Sequence, residues 1–186
     1  MIGLGFGFGL GLGLESEGTA RRGAAMPVTR KQGDAFVWWI VSGILGVLAQ
    51  DAFWLALRLA GLADTHVWDV AASLAVSSAE AGCVAAMIVG GLLDLVIGGL
   101  FAILIGVLLE WRGSSAYLVK GLTVGLGAWV FCYGILIHNL PFFVERDLVH
   151  LSEMIGSFFG HAIYGAVTVT VYVKWLSRYV EGPQDQ

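Results

Sequence analysis

The sequence predicts an all-α membrane protein with four transmembrane helices, N and C termini cytoplasmic, and a short amphipathic helix between the first and second spans. Three observations lead there. Of 186 residues, 58% are apolar and only 13% are charged, against about a quarter charged in an ordinary soluble domain, and mean hydropathy is +0.82. Four apolar stretches, about 35–57, 83–109, 116–137 and 151–175, each supply the roughly 20 residues that a helix needs to cross the hydrocarbon core. Lys and Arg also alternate from side to side: eight of the ten lie in the N-terminal tail, at the turn Arg112–Lys120 and at the C-terminus, and only Arg58 and Arg146 lie opposite. The positive-inside rule turns that asymmetry into the cytoplasmic placement of both termini, with the cytoplasmic (inner) membrane as the location.

Composition also narrows the function classes. There is no basic patch dense enough for nucleic acid, so the expected surroundings are the lipid bilayer and other membrane proteins. Cys83 and Cys132 sit inside apolar runs with no Cys-x-x-Cys or Cys/His spacing, which argues for buried packing rather than a disulfide framework or a thiolate zinc site. No phosphate loop, dinucleotide fingerprint, nucleophile elbow or His-Glu-x-x-His occurs. The expectation is no cofactor and no enzyme activity.

Residues 1–33 read as a low-complexity tail. The opening MIGLGFGFGLGLGL is too short to span, and a glycine at every second place penalises a helix by about 1 kcal/mol each. No basic segment precedes it, so a secretory signal fits poorly, and Met26 heads a more conventional start, MPVTRKQGDAF. The transmembrane domain is expected over 34–180, with 181–186 as a polar tail.

The first span begins at Ala35, with Trp38 and Trp39 as an interfacial belt. Asp51 lies near its far end, on a face with Val47, Trp54 and Arg58. Between Gly61 and Gly82, the residues Val67, Val70, Ala71, Leu74 and Ala75 follow helical spacing and predict a short amphipathic helix, on the membrane surface or tucked over the bundle. The second span carries Asp94 beside Gly90, Gly91 and Gly98, a side suited to pressing against a neighbour. In the third, Lys120 snorkels near the start, and His138 precedes Pro141, which ends the helix. The fourth bears one polar stripe: at 100° per residue His150, Glu153, Ser157, His161, Tyr164 and Thr168 fall within about 60° of one another, opposite Ile155, Phe159, Ile163 and Ala166.

Depth singles out the candidate site. Asp94 and His161 both lie roughly 14–15 Å from the outer end of their spans, near the midplane of a core about 30 Å thick. An ionisable residue there costs about 2.5–3.5 kcal/mol on insertion scales and marks a functional hypothesis. Asp94 and His161 are expected to be neighbours across the second and fourth spans, with Asp51, His138 and Glu153 above them as an outward vestibule and Tyr164 beside them. Three readings follow: a structural or assembly module that self-associates through the small-residue pairs Gly43/Gly46, Gly90/Gly98, Gly121/Gly125 and Gly156/Gly160; a small proton- or cation-linked transporter or channel; or a metal-binding protein using His138, His150, Glu153 and His161.

The stretch KGLTVGLGAWVFCYGILIHNLPFF followed by SEMIGSFFGHAIYG resembles the end of small bacterial inner-membrane proteins of the YagU and YqhR types. The likeness rests on the glycine-rich third span, His138 before Pro141, the Ser152-Glu153 pair and the Gly160-His161 step. It covers only the chain from Lys120 onward, and the spacing from Ser-Glu to Gly-His departs from the YagU pattern by about one helical turn. The resemblance implies a multi-span inner-membrane fold and no established activity.

Overall fold

The computed structural model describes residues 34–64, 67–76, 83–136 and 151–180. The expectations for the tails 1–33 and 181–186, and for His138 and His150, lie outside the described residues. Everything described is helical or turn, with no strand among the described residues. Helix α1 covers Ala35–Leu59, α2 covers Val67–Ala72, and α3 covers Val84–Arg112. Helix α4 covers Tyr117–Trp129 and runs on as a π-helix over Val130–Leu136. Helix α5 covers Leu151–Val171, followed by π-helical turns at Tyr172–Leu176 and a last helical turn at Ser177–Val180. The four long helices are each long and apolar enough to cross a bilayer.

Local chemistry sets the helix ends. The Asp34 carboxylate accepts the Phe36 N–H at 2.9 Å and caps α1, meeting one of the orphan donors that every helix start leaves. Lys120 does more than reach for headgroups: its ammonium donates to the carbonyls of Arg112 (3.1 Å) and Gly113 (2.5 Å). A cation on the last carbonyls of α3 also offsets the negative end of its dipole. At the same end Trp38 stacks on Tyr179 at 5.3 Å, and Lys174 lies 5.8 Å above the Tyr117 ring. The start of α1, the end of α3, the start of α4 and the end of α5 thus gather into one aromatic and basic rim.

Packing between the long helices follows steps of four residues. A Cβ on Gly106 would run into Trp39, one on Gly43 into Ala102, and one on Gly98 into Val47. Each step of four along α1 is therefore matched by a step of four back along α3, so the two helices lie antiparallel with large residues seated over small ones. A second face of α1 does the same with α5: Gly46 lies against Tyr164 and Thr168, Gln50 against Gly160, and Trp54 against Gly156. Helix α4 closes on α5 through Gly121, Gly125 and Gly165, whose backbones approach almost directly. All eight glycines expected to be left over for self-association face a neighbouring element of the same chain, Gly90 meeting the backbone of α2.

The polar stripe of α5 turns inward as expected. Glu153, Ser157, His161, Tyr164 and Thr168 are buried, whereas Ile155 and Phe159 are exposed on the opposite side. Helix α2 is tucked against the first half of α3, with Trp68 and Ala72 over Gly90 and the Trp68 ring beside Gly91.

Candidate functional site

The step-of-four match between α1 and α3 has one further rung. Continuing from Val47 opposite Gly98 brings Asp51 opposite Asp94, so two carboxyl groups face each other across the α1–α3 seam. Asp51 Oδ2 also accepts the indole N–H of Trp68 on α2 at 3.0 Å. Asp94 Oδ2 is buried, and no N–H or O–H of the described residues reaches it. Two full negative charges facing each other inside an apolar bundle are costly, and one proton held between them removes that cost. The pair is suited to hold one proton between α1 and α3.

Asp94 lines a cavity of about 650 Å³, and Asp51 stands behind it. Gln50 and Val47 from α1, Asp94 and Gly98 from α3, Cys132 and Tyr133 from α4, and His161 and Tyr164 from α5 form its polar side. Val67, Val70, Ala71 and Leu74 of α2 close one wall, and Leu100, Phe101, Leu104 and Phe131 form an apolar one. The π-helical turns of α4 contribute Phe131, Cys132, Tyr133 and Leu136. Such widened turns recur at functional sites because the extra residue re-aims the side chains that follow it.

Each expected site residue has a defined place. His161, 9% exposed, holds Nδ1 at 2.9 Å from the Ser157 carbonyl; a carbonyl only accepts, so Nδ1 carries a hydrogen and, in the neutral ring, Nε2 is the acceptor. The ring meets Tyr133 edge to face at 5.8 Å. Ser157 Oγ accepts the Trp129 indole N–H at 2.8 Å, so α4 and α5 are cross-linked one turn from the histidine. The Tyr164 hydroxyl donates to the Gly98 carbonyl at 2.5 Å and ties α5 to α3 across the cavity floor. Asp94 and His161 line the same cavity, but the group that meets Asp94 is Asp51, and His161 bonds to its own helix. Glu153, 4% exposed, accepts the backbone N–H of Asp64 at 3.1 Å and does not line the cavity. It pins the connection after α1 to the start of α5.

Gln50, Trp68, Tyr133 and Cys132 were not singled out from sequence. Gln50 had a readable signal, an amide next to Asp51 within an apolar span. Tyr133 and Cys132 had none, because nothing in their neighbourhood marks the change from α to π winding. Among the described residues, no three His, Cys, Asp or Glu side chains are grouped to hold a metal ion.

No family model, curated protein or solved structure matches the chain. The resemblance to the YagU and YqhR types finds no support in these comparisons.

Proposed function

We propose that the chain is a small proton-linked transporter of the cytoplasmic membrane, with the Asp51–Asp94 pair as its proton site. The observation that carries this reading is the pair itself, two carboxyls from separate helices facing each other, with Asp94 in the wall of a cavity within the bundle. Ionisable groups at that depth are costly, and carriers use them as proton or ion relays. The assembly-module reading drew on small-residue faces left over after folding, and those faces are occupied within the chain. The metal reading groups Glu153 with His161, but Glu153 is turned to the Asp64 backbone and does not line the cavity that His161 lines. The reaction assigned is translocation without bond chemistry, and no enzyme activity is proposed.

The test is proton influx into liposomes that hold the purified protein and a pH-sensitive dye, driven by a potassium diffusion potential. Wild type should acidify the lumen severalfold faster than Asp94→Asn, which keeps the shape and removes the proton site. Equal rates for the two, or a wild-type rate equal to that of empty liposomes, would overturn the reading.

The orientation proposed places both termini in the cytoplasm, so α2 and the Asp51–Asp94 level lie towards the outer side. The rim that gathers Arg112, Lys120, Lys174 and Arg178 supports it. In a background lacking Cys83 and Cys132, a cysteine at position 147 should react with an impermeant reagent added to intact cells. One at position 184 should react only after the inner face is opened. The reverse pattern at both positions rejects the orientation.

A further inference from the structure

We infer that the cavity takes an organic monocation with apolar bulk, drawn from the bilayer and exchanged for the proton of the Asp51–Asp94 pair. The inference rests on the proton-linked reading above and names its substrate class.

Size comes first. A proton needs no cavity, and a water or a small hydrated ion occupies about 30 Å³ per water. The cavity measures about 650 Å³, in the range that holds drug-sized organic molecules. Charge comes next. Among the described residues the lining contains Asp94, with Asp51 opposite it, and no lysine or arginine. The occupant that replaces the shared proton without changing the net charge of the site, one negative in either state, is a single positive charge. Its removal of one proton balances its own arrival: the pair holds either the proton or the cation, and the proton leaves to water.

The remaining polar groups suit the same guest. His161 is more than nine-tenths buried, with Nδ1 committed to the Ser157 carbonyl and Nε2 left as an acceptor on a ring that lines the cavity. Tyr133, Tyr164, Phe101 and Phe131 supply aromatic surface in the lining, the partner that a desolvated organic cation prefers. The titratable groups around Asp94 are Asp51 from α1, Cys132 and Tyr133 from α4, and His161 and Tyr164 from α5, while α2 presents the Trp68 indole to Asp51.

The route in is lateral. Leu100, Leu104 and Phe131 line the cavity and are also exposed on the outside of the bundle. The cavity therefore opens between α3 and α4 towards the hydrocarbon, where apolar cations concentrate. An ordinary acyl lipid would fill the apolar wall but would leave the carboxyl pair unanswered.

The experiment uses the full chain in mild detergent, with tetraphenylphosphonium as probe and tetraphenylborate as a matched shape of opposite charge. Tetraphenylphosphonium should bind saturably and release one proton per cation in a weakly buffered solution. Asp94→Asn should weaken binding at least tenfold. Leu104→Trp, a change at the exposed rim that spares the core, should weaken it too. Tetraphenylborate should not compete. Equal binding of the two probes, or undiminished binding to Asp94→Asn, overturns the inference, and so does displacement by uncharged lipid alone. Proton influx into liposomes without tetraphenylphosphonium binding removes the substrate class and leaves the proton site standing. Absence of both removes the transporter reading itself.

Discussion

Gly165→Ala is expected to destabilise the protein by about 1–3 kcal/mol, the usual cost of overpacking a filled interface. A single methyl there would press on the Gly121 carbonyl carbon at 2.8 Å and on Gly125 Cα at 3.2 Å. Both obstacles are backbone, so no side-chain rotation relieves the clash, and α4 must move away from α5. That movement also strains the Trp129–Ser157 hydrogen bond. The control is Gly127→Ala on the same helix pair, where an added Cβ meets nothing within 4 Å. Helix propensity favours alanine over glycine by about 1 kcal/mol at either site, so the control should be neutral or stabilising. At about 2–4 °C per kcal/mol for a chain of this size, the two variants should separate clearly in thermal unfolding in detergent. Equal midpoints would mean that α4 and α5 do not meet through these glycines.

Gly90→Ala is expected to detach α2 while leaving the four long helices in place. The added Cβ would lie 2.8 Å from the Trp68 carbonyl carbon and 3.0 Å from the Ala72 nitrogen. Helix α2 is only six residues long, far below the roughly 12–15 that give an isolated helix even marginal stability. Pushed off α3, it unfolds rather than relocates. Hydrogen exchange reads this directly. The amides of Ser73 and Val76, bonded to the Asp69 and Ala72 carbonyls, should lose at least about tenfold protection, and those of α5 should lose little. Losing α2 also removes the Trp68 hydrogen bond from Asp51. Unchanged protection at Ser73 and Val76 would show that α2 is not held by Gly90.

The spans were legible because length and apolarity act locally: a run such as Val84–Leu109 has no other stable arrangement in lipid. Helix α2 was legible for a similar reason, its apolar residues keeping helical spacing over a short window. The common level of Asp94 and His161 was legible by counting. The contacts of Gln50 with Gly160 and of Asp51 with Asp94 link the levels of His161 and Asp94 through neighbouring residues of α1. Partnership was not legible, because it depends on how each helix is rotated about its axis. That rotation comes from seating Trp39 over Gly106 and Val47 over Gly98 at once, a three-dimensional condition that single-helix periodicity does not contain. It gives Asp94 to Asp51 and leaves His161 to Ser157. The π winding of α4 was also invisible, since a uniform 100° per residue misplaces everything after Trp129.

The pairing of Asp51 with Asp94 bears on how the chain is made. Helix α1 leaves the ribosome before α3, with one aspartate whose carboxyl partner is still to come. An aspartate at the centre of a lone span costs about 2.5–3.5 kcal/mol during translocon-guided insertion and less towards the end, where Asp51 lies, and the apolar remainder of α1 outweighs that cost. Relief arrives only when α3 follows and lays Gly98 over Val47. Helices α1 and α3 thus form a natural biogenesis unit, an antiparallel hairpin that reaches its lowest cost together. The pair α4 and α5 then docks against a hairpin whose acid groups have already found each other.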